Sequence, residues 1–303
     1  MFSNDINKSM IDSSVKVFPG SMIYGSSSSI GPNCIIGEEG PVVIENCQLG
    51  KNVQLKSGYF KDSVFLNGSS VGSFAHVRKG TLLEEESKAA NYVGFKETIL
   101  FPFVTTGSLI NFCDALISGG TDTKNHSEIG SSYIHFNYTV HKDKATPSLF
   151  GNVEDGIFLD QNPIFLGGQG GAVGPIQIAF GSKVAAGSIL RKNYSTSNQI
   201  ISEPHIKEYE KDFVLNFRNN IDRIIENNYT YIGNIAALYA WYKEVRALYV
   251  QDKFDEAVHQ GATQLLNASF KERIKQINKI TSFNCNVDLP IFSPPPNELL
   301  KNI

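Results

Sequence analysis

Leu166, Ala172, Ile178, Val184 and Leu190 stand six residues apart in the stretch FLGGQGGAVGPIQIAFGSKVAAGSIL, with glycine at 167, 181 and 187. Six is neither the 3.6-residue period of a helix nor the two-residue period of a strand. It is the period of a triangular coil in which each side sends one aliphatic residue into a continuous core, a hexapeptide β-helix. The same step occurs earlier in three phased series: Tyr24, Ile30 and Ile36; Val43, Leu49 and Leu55; Val71, Val77 and Leu83. Glycine follows Ile30, Ile36, Leu49 and Val71, where a turn between short strands needs a small residue or a positive φ. A β-sandwich would show alternation of period two instead. The expected solenoid covers residues 21–195, after a polar lead-in over 1–20.

The phase breaks between about 100 and 162, where TDTKNHSEIGSSYIHFNYTVHKDKATPSLFGNVEDG carries His126, His135, His141, Lys124, Lys142 and Lys144. Solenoids carry insertions as outer loops, often on the binding face, so this is the expected functional region. After Lys192 the composition turns to Glu, Lys, Asn, Ile, Leu and Tyr, which implies an α-helical domain over 200–303. Ser202-Glu203-Pro204 reads as a helix start. Phe213, Phe217, Ile221, Ile224 and Ile225 form one stripe, and Ile235, Leu238, Tyr239, Tyr242 and Val245 a second. Asp252 is placed to cap a third helix running to about Ile280, and the DLPIFSPPPNELL tail holds too many prolines for a continuous helix.

A formal net charge of -3 gives no basic footprint for nucleic acid. Cys34, Cys47, Cys113 and Cys285 are scattered, without a CxxC pair, and read as free thiols. MFSNDINKSM contains no apolar signal segment and no apolar run reaches membrane-spanning length, so a cytoplasmic protein with no membrane association is expected. The glycines at 167, 168, 170, 171 and 174 precede no GK[ST] and no helix start, so they are read as coil corners rather than a P-loop.

VGSFAHVRKGT at 71–81, NYVGFKETI at 91–99, IGSSYIHFNY at 129–138, and FLGGQGGAVGP with KVAAGS at 165–188 occur in an order and spacing that is much more specific than generic repeats. On these motifs, residues 20–192 resemble the acetyltransferase half of the bifunctional glucosamine-1-phosphate acetyltransferase / N-acetylglucosamine-1-phosphate uridylyltransferase family. The resemblance implies that the solenoid is an all-β left-handed parallel β-helix, and the composition after Lys192 adds the α-helical C-terminal domain. The resemblance also implies a homotrimer with sites between subunits, acetyl-CoA or another acyl-CoA as co-substrate, and a sugar phosphate or nucleotide sugar as acceptor. The uridylyltransferase domain of the family has no counterpart in these 303 residues.

By the same resemblance, Arg78 and Lys96 bind the sugar phosphate, Asn137 and Tyr138 face the sugar and the acyl donor, and Gly168 and Ala186 line the acyl-CoA site. Arginine and lysine suit a phosphate through charge-assisted hydrogen bonds. The family's His-x-x-Tyr-x-Gly-Asp segment, whose His is the general base, is matched here by SLINFCDA, with Ser108 at the His and Asn111 at the Tyr. The loop lysine of the family falls at Asp143, between Lys142 and Lys144. His135, two residues before Asn137 and on the same side of a strand, is the candidate replacement base, with His141 as an alternative. A protein that binds a nucleotide sugar, or regulates, without catalysis is the competing expectation. A third is a trimeric platform whose helices dock a partner. Some hexapeptide β-helices carry a three-histidine zinc site. His76, His126, His135 and His141 lack the His-x4-His spacing of that class, so no metal is expected.

Overall fold

A computed structural model describes residues 2–134, 145–203 and 221–281, together with the single residues 208, 210 and 212. Within them the chain winds as a parallel β-solenoid whose short strands stack coil on coil into three faces. The first face is a ten-stranded parallel sheet that starts at Lys16–Val17 and ends at Ile200–Ile201. Pairing therefore begins inside the expected lead-in and runs past residue 195. The second face includes Met22–Tyr24, Val42–Glu45, Gly58–Lys61, Ala75–Val77, Ser132–Ile134 and Gly170–Ala172. The third includes Ser29–Ile30, Gln48–Leu49, Ser63–Phe65, Thr81–Leu83 and Ser148–Phe150. Two eight-residue strands, Val93–Leu100 and Ile110–Ile117, belong to both of these faces and bend sharply between them.

The aliphatics of the six-residue step fill the axis: Ile30, Ile36, Leu49, Leu55, Val71, Val77, Leu83, Leu166, Ala172, Ile178, Val184 and Leu190 are all buried. Tyr24 and Val43 are exceptions. Tyr24 is exposed and Val43 half-buried, and the inward positions belong to Ile23 and Ile44. Second-face strands of three or four residues send their neighbouring residues outward in alternation, which moved the step by one.

Corners are turned by residues at positive φ. Most demanding is Gly58 at φ +133, where an added Cβ would lie 2.2 Å from the Ala75 carbonyl oxygen. One insertion is a small antiparallel hairpin, Gly120–Asp122 with Asn125–His126. Another holds a single helical turn, α1 (Val153–Gly156), capped by the Asn152 side chain.

Two long helices close the described structure, α2 (Ile221–Glu244) and α3 (Lys253–Thr281). The two aromatic-aliphatic stripes seen in the sequence therefore lie, from Ile221 on, along one continuous helix, whose buried side includes Tyr231, Ile232, Ile235, Leu238 and Tyr242. Phe213, Phe217 and the Pro-rich tail lie outside the described residues. Asp252 caps α3, its Oδ1 accepting from the backbone N–H of Phe254 and Asp255 at 2.8 and 3.0 Å. The helices pack on each other, and α3 lies along the third face, against the strands at 29–30, 48–49, 63–65 and 81–83. Gly261 lets α3 come close, because a Cβ there would meet Gln48 Oε1 at 2.3 Å. Helices and solenoid share one hydrophobic core. Among the described residues no helix is long and apolar enough to cross a membrane.

Candidate functional site

Register on the second face brings two outward columns together. One runs Val43, Tyr59, His76, Gly94, Asn111, Tyr133 and Gly171 through paired Cα positions. The other contains the Glu45–Lys61 and Lys96–Cys113 pairs. Arg78 stands between them, since Val77 pairs with both Phe60 and Phe95 and the Arg78 N–H donates to the Phe95 carbonyl at 2.9 Å. Arg78 and Lys96 thus occupy neighbouring coils, about 4.8 Å apart along the solenoid.

The two cations differ in their partners. Lys96 Nζ is 3.5 Å from Glu97 Oε1. Arg78 Nη2 points to Cys113 Sγ at 3.9 Å, and its buried Nε has no hydrogen-bond partner among the described residues. A guanidinium with a buried, unpartnered donor on an outer face suits an anion that supplies the missing acceptor. Cys113 is half-buried, and burial together with Asp114 raises its thiol pKa against the pull of Arg78 and Lys96. Gly94 pairs with His76, and an added Cβ there would rest in ordinary contact at 3.7 Å from Asn111 Oδ1 and the Ile110 carbonyl. His76 stacks edge-on against Tyr59 at 5.5 Å.

The corner leading into this face carries Phe74, Tyr92 and Leu109, all at positive φ and all exposed, at 62%, 54% and 68%. Phe74 and Tyr92 stack at 4.9 Å between centroids. Ser108 sits in the same corner, where its Oγ accepts from the Asn91 N–H at 3.3 Å. That is a turn-fixing role, and a hydroxyl is no general base near neutrality.

At the opposite corner the bent strands turn on Glu97 and Asp114, at φ 49° and 54°. Arg273 of α3 reaches both: Nη2 is 2.6 Å from Glu97 Oε2 and Nη1 is 3.2 Å from Asp114 Oδ2. Thr146 donates to the same Asp114 oxygen at 3.2 Å. Burial pushes the Asp114 carboxyl up to about 7, opposed by Arg273 and reinforced by its hydrogen bond to Glu97. Burial acts on Glu97 in the same direction, but the Asp114 hydrogen bond and the Arg273 and Lys96 charges outweigh it and hold Glu97 low. Of the two carboxyls Glu97 holds its negative charge and Asp114 takes up a proton more readily.

His135, Asn137, Tyr138, His141, Lys142 and Lys144 lie outside the described residues. Their flanks are described: Ile134 pairs with Phe112, and Ser148 pairs with Ala115. The segment is thus joined to the solenoid at the coil position where the preceding turn has only Cys113 and Asp114. Gly168 and Ala186 belong to the corner between the first and second faces, three and four coils from Lys96, about 14 and 19 Å along the axis. A Cβ on Gly167 would lie 2.4 Å from the Ala186 nitrogen, whereas Gly168 has nothing nearer than 3.6 Å and Gly187 nothing within 4 Å. Gly168 and Gly187 present bare backbone here, beside the exposed Gln169, Ala185 and Ala186. His126 is in the hairpin and not in either column of the second face, and no group of three or more His, Cys, Asp or Glu among the described residues is placed to hold a metal ion.

No family model matches the chain. Among curated proteins it is similar to the bifunctional protein GlmU of Thermotoga maritima, 27% identical over 203 residues, covering 65% of this chain and 41% of the relative. It is also similar to GlmU of Nitratidesulfovibrio vulgaris strain DP4 (28% over 191 residues, 61% and 37%) and of Geotalea uraniireducens (29% over 195 residues, 62% and 38%). The hexapeptide-repeat domain is related to these proteins. The chain spans about two-fifths of the length of the curated relatives it matches. The solved structure of LpxA from Acinetobacter baumannii matches at 15% identity and a TM-score of 0.23, over 90% of this chain and 97% of that one.

Proposed function

We propose that this protein is an acyltransferase-like protein that takes an acyl-CoA, acetyl-CoA in the first instance, and acts on a sugar phosphate or nucleotide sugar. The carrying observation is the adjacent pair Arg78 and Lys96 on one outer face, with Arg78 Nε buried and unpartnered among the described residues. In this reading both cations hold the phosphate, and Asn137 and Tyr138 orient the acceptor and the acyl group. The open space at Gly168 and Gly187, beside the small side chain of Ala186, supports a path for an extended pantetheine arm. The acceptor nitrogen or oxygen attacks the thioester carbonyl, His135 takes its proton, and the CoA thiolate leaves and is protonated. The exposed Phe74–Tyr92–Leu109 corner supports packing of further copies beside the face, as in a homotrimer. Incubation with acetyl-CoA and a panel of amino-sugar phosphates, followed by free thiol release, tests the reading. Absence of turnover on every acceptor, with His135→Ala indistinguishable from wild type, sinks it.

A second reading is favoured by Ser108, which is committed to the Asn91 N–H and supplies no base. In that case the protein binds a nucleotide sugar without turning it over. Calorimetric binding with no thiol release separates the two.

A further inference from the structure

An arginine on the buried stripe of a helix has to be balanced where it lies. On α3 the inward positions are Leu266, Phe270, Arg273 and Ile277, and Arg273 is only 3% exposed. Its guanidinium spans Glu97 and Asp114, the two residues that directly follow Lys96 and Cys113 of the candidate binding face. Because Lys96 and Cys113 are register partners, one helix residue grips two successive coils immediately behind that face.

Glu97 is shared. Its Oε2 faces Arg273 at 2.6 Å, while its Oε1 faces Lys96 Nζ at 3.5 Å. The shorter contact draws the carboxylate toward the helix and leaves Lys96 the weaker partner. Among the described residues, Lys79, Tyr231 and Glu272 also face the cluster electrostatically. If the guanidinium were gone, Lys96 would remain 3.5 Å from Glu97 as its ion-pair partner, and the carboxylate would draw on that charge.

We infer that Arg273 is a positioning residue of the anion-binding face: by holding Glu97 and Asp114 from the helix side, it keeps Lys96 available to a bound anion. This rests on the reading of Arg78 and Lys96 as an anion site. It makes the helical region part of that site, although α3 offers the anion no contact of its own.

The test uses the full chain with Cys285→Ser, so that Cys113 is the reactive thiol beside the buried Cys34 and Cys47. Two readouts are taken: sulfate affinity by calorimetry, because sulfate stays fully ionised across the pH range, and the pH profile of Cys113 alkylation by iodoacetamide. Arg273→Met should weaken sulfate binding by about three- to tenfold, the range of a single ion pair, and slow Cys113 alkylation at pH 8 by a similar factor. Adding Glu97→Gln should restore both to within about twofold of the parent, since the cluster then regains neutrality. Arg273→Lys keeps the charge but not the two-armed grip, so both readouts should fall between those of the parent and of Arg273→Met. A folded Arg273→Met protein with unchanged affinity and alkylation overturns the inference, as does failure of Glu97→Gln to restore them. Should Arg273→Met not fold, Glu97→Gln alone decides. It leaves Arg273 paired with Asp114 and should tighten sulfate binding about threefold, and no change is the overturning result. If the parent binds no sulfate, the anion-site reading itself fails, while the alkylation profile still reports whether Arg273 sets the charge beside Cys113.

Discussion

Arg78 and Lys96 stand out in the sequence because each sits in a distinctive local motif, HVRKGT and GFKET, and the structure puts the proposed pair in neighbouring coils. Their acidic counterparts were not. Glu97, Asp114 and Arg273 are separated by 17 and 159 residues, and no local pattern joins them. The available signal was Arg273 itself, an arginine in phase with Leu266, Phe270 and Ile277. Replacing Arg78 or Lys96 by alanine should weaken a phosphate-bearing ligand by roughly 10- to 100-fold each, as expected for a lost charge-assisted hydrogen bond, measured by calorimetry. Glu84 offers a test of pH dependence. It is fully buried, accepts from the Tyr242 hydroxyl at 2.6 Å, and lies 3.8 Å from Arg246, whose other arm pairs with Glu85. Burial pushes its carboxyl from 4.5 up to about 7. The folded state therefore binds the proton more tightly than the unfolded chain. That contribution is fully present below about pH 4.5 and is lost as pH rises to about 7. Glu84→Gln keeps the acceptor for Tyr242, so it should flatten the fall in melting temperature over this window. An unchanged slope would remove Glu84 from the account.

At the scale of the element, the six-residue step was readable because only a coil with one inward residue per side needs it. Corner chemistry was less readable, since positive φ is adopted here by Phe74, Tyr92, Glu97, Leu109 and Asp114 as well as by glycine. Two glycines separate strain from space. Gly58→Ala would drive a Cβ against the Ala75 backbone at φ +133, where neither side can yield. Gly187→Ala keeps a positive φ of 75° but meets open space. The first should cost several kcal/mol and the second about 1 kcal/mol, so their melting temperatures should fall in that order. Equal losses would mean that backbone conformation, rather than coil-to-coil contact, governs these corners. The helix start expected at Ser202-Glu203-Pro204 runs outside the described residues. Asp252 marked the start of α3, but the two stripes before it carried no sign that Ile221–Glu244 is one helix.

For the whole molecule, a solenoid is expected to behave as a one-dimensional stack in which end coils can open independently. The helices change that expectation here. With 29 residues α3 is about 43 Å long, enough to run past nine strand spacings of about 4.8 Å. It packs on third-face strands of successive coils, and α2 adds contacts to Ser148–Phe150. Phe270 and Leu266 enter the same core as the solenoid axis residues. Thr81–Leu83 and Ser63–Phe65 are therefore covered by a segment some 200 residues later in the chain, which couples coils that would otherwise touch only their neighbours. Leu266→Ala should cost about 2–5 kcal/mol, as for other large-to-small core changes, although it lies outside the solenoid. Its unfolding should still be a single transition, in which the fluorescence of Trp241 on α2, the chain's one tryptophan, coincides with loss of β-sheet ellipticity. If the helices instead melted first and left the sheet signal intact, α3 would be an appended layer. The charge balance that Arg273 maintains behind Lys96 would then be lost before the solenoid unfolds.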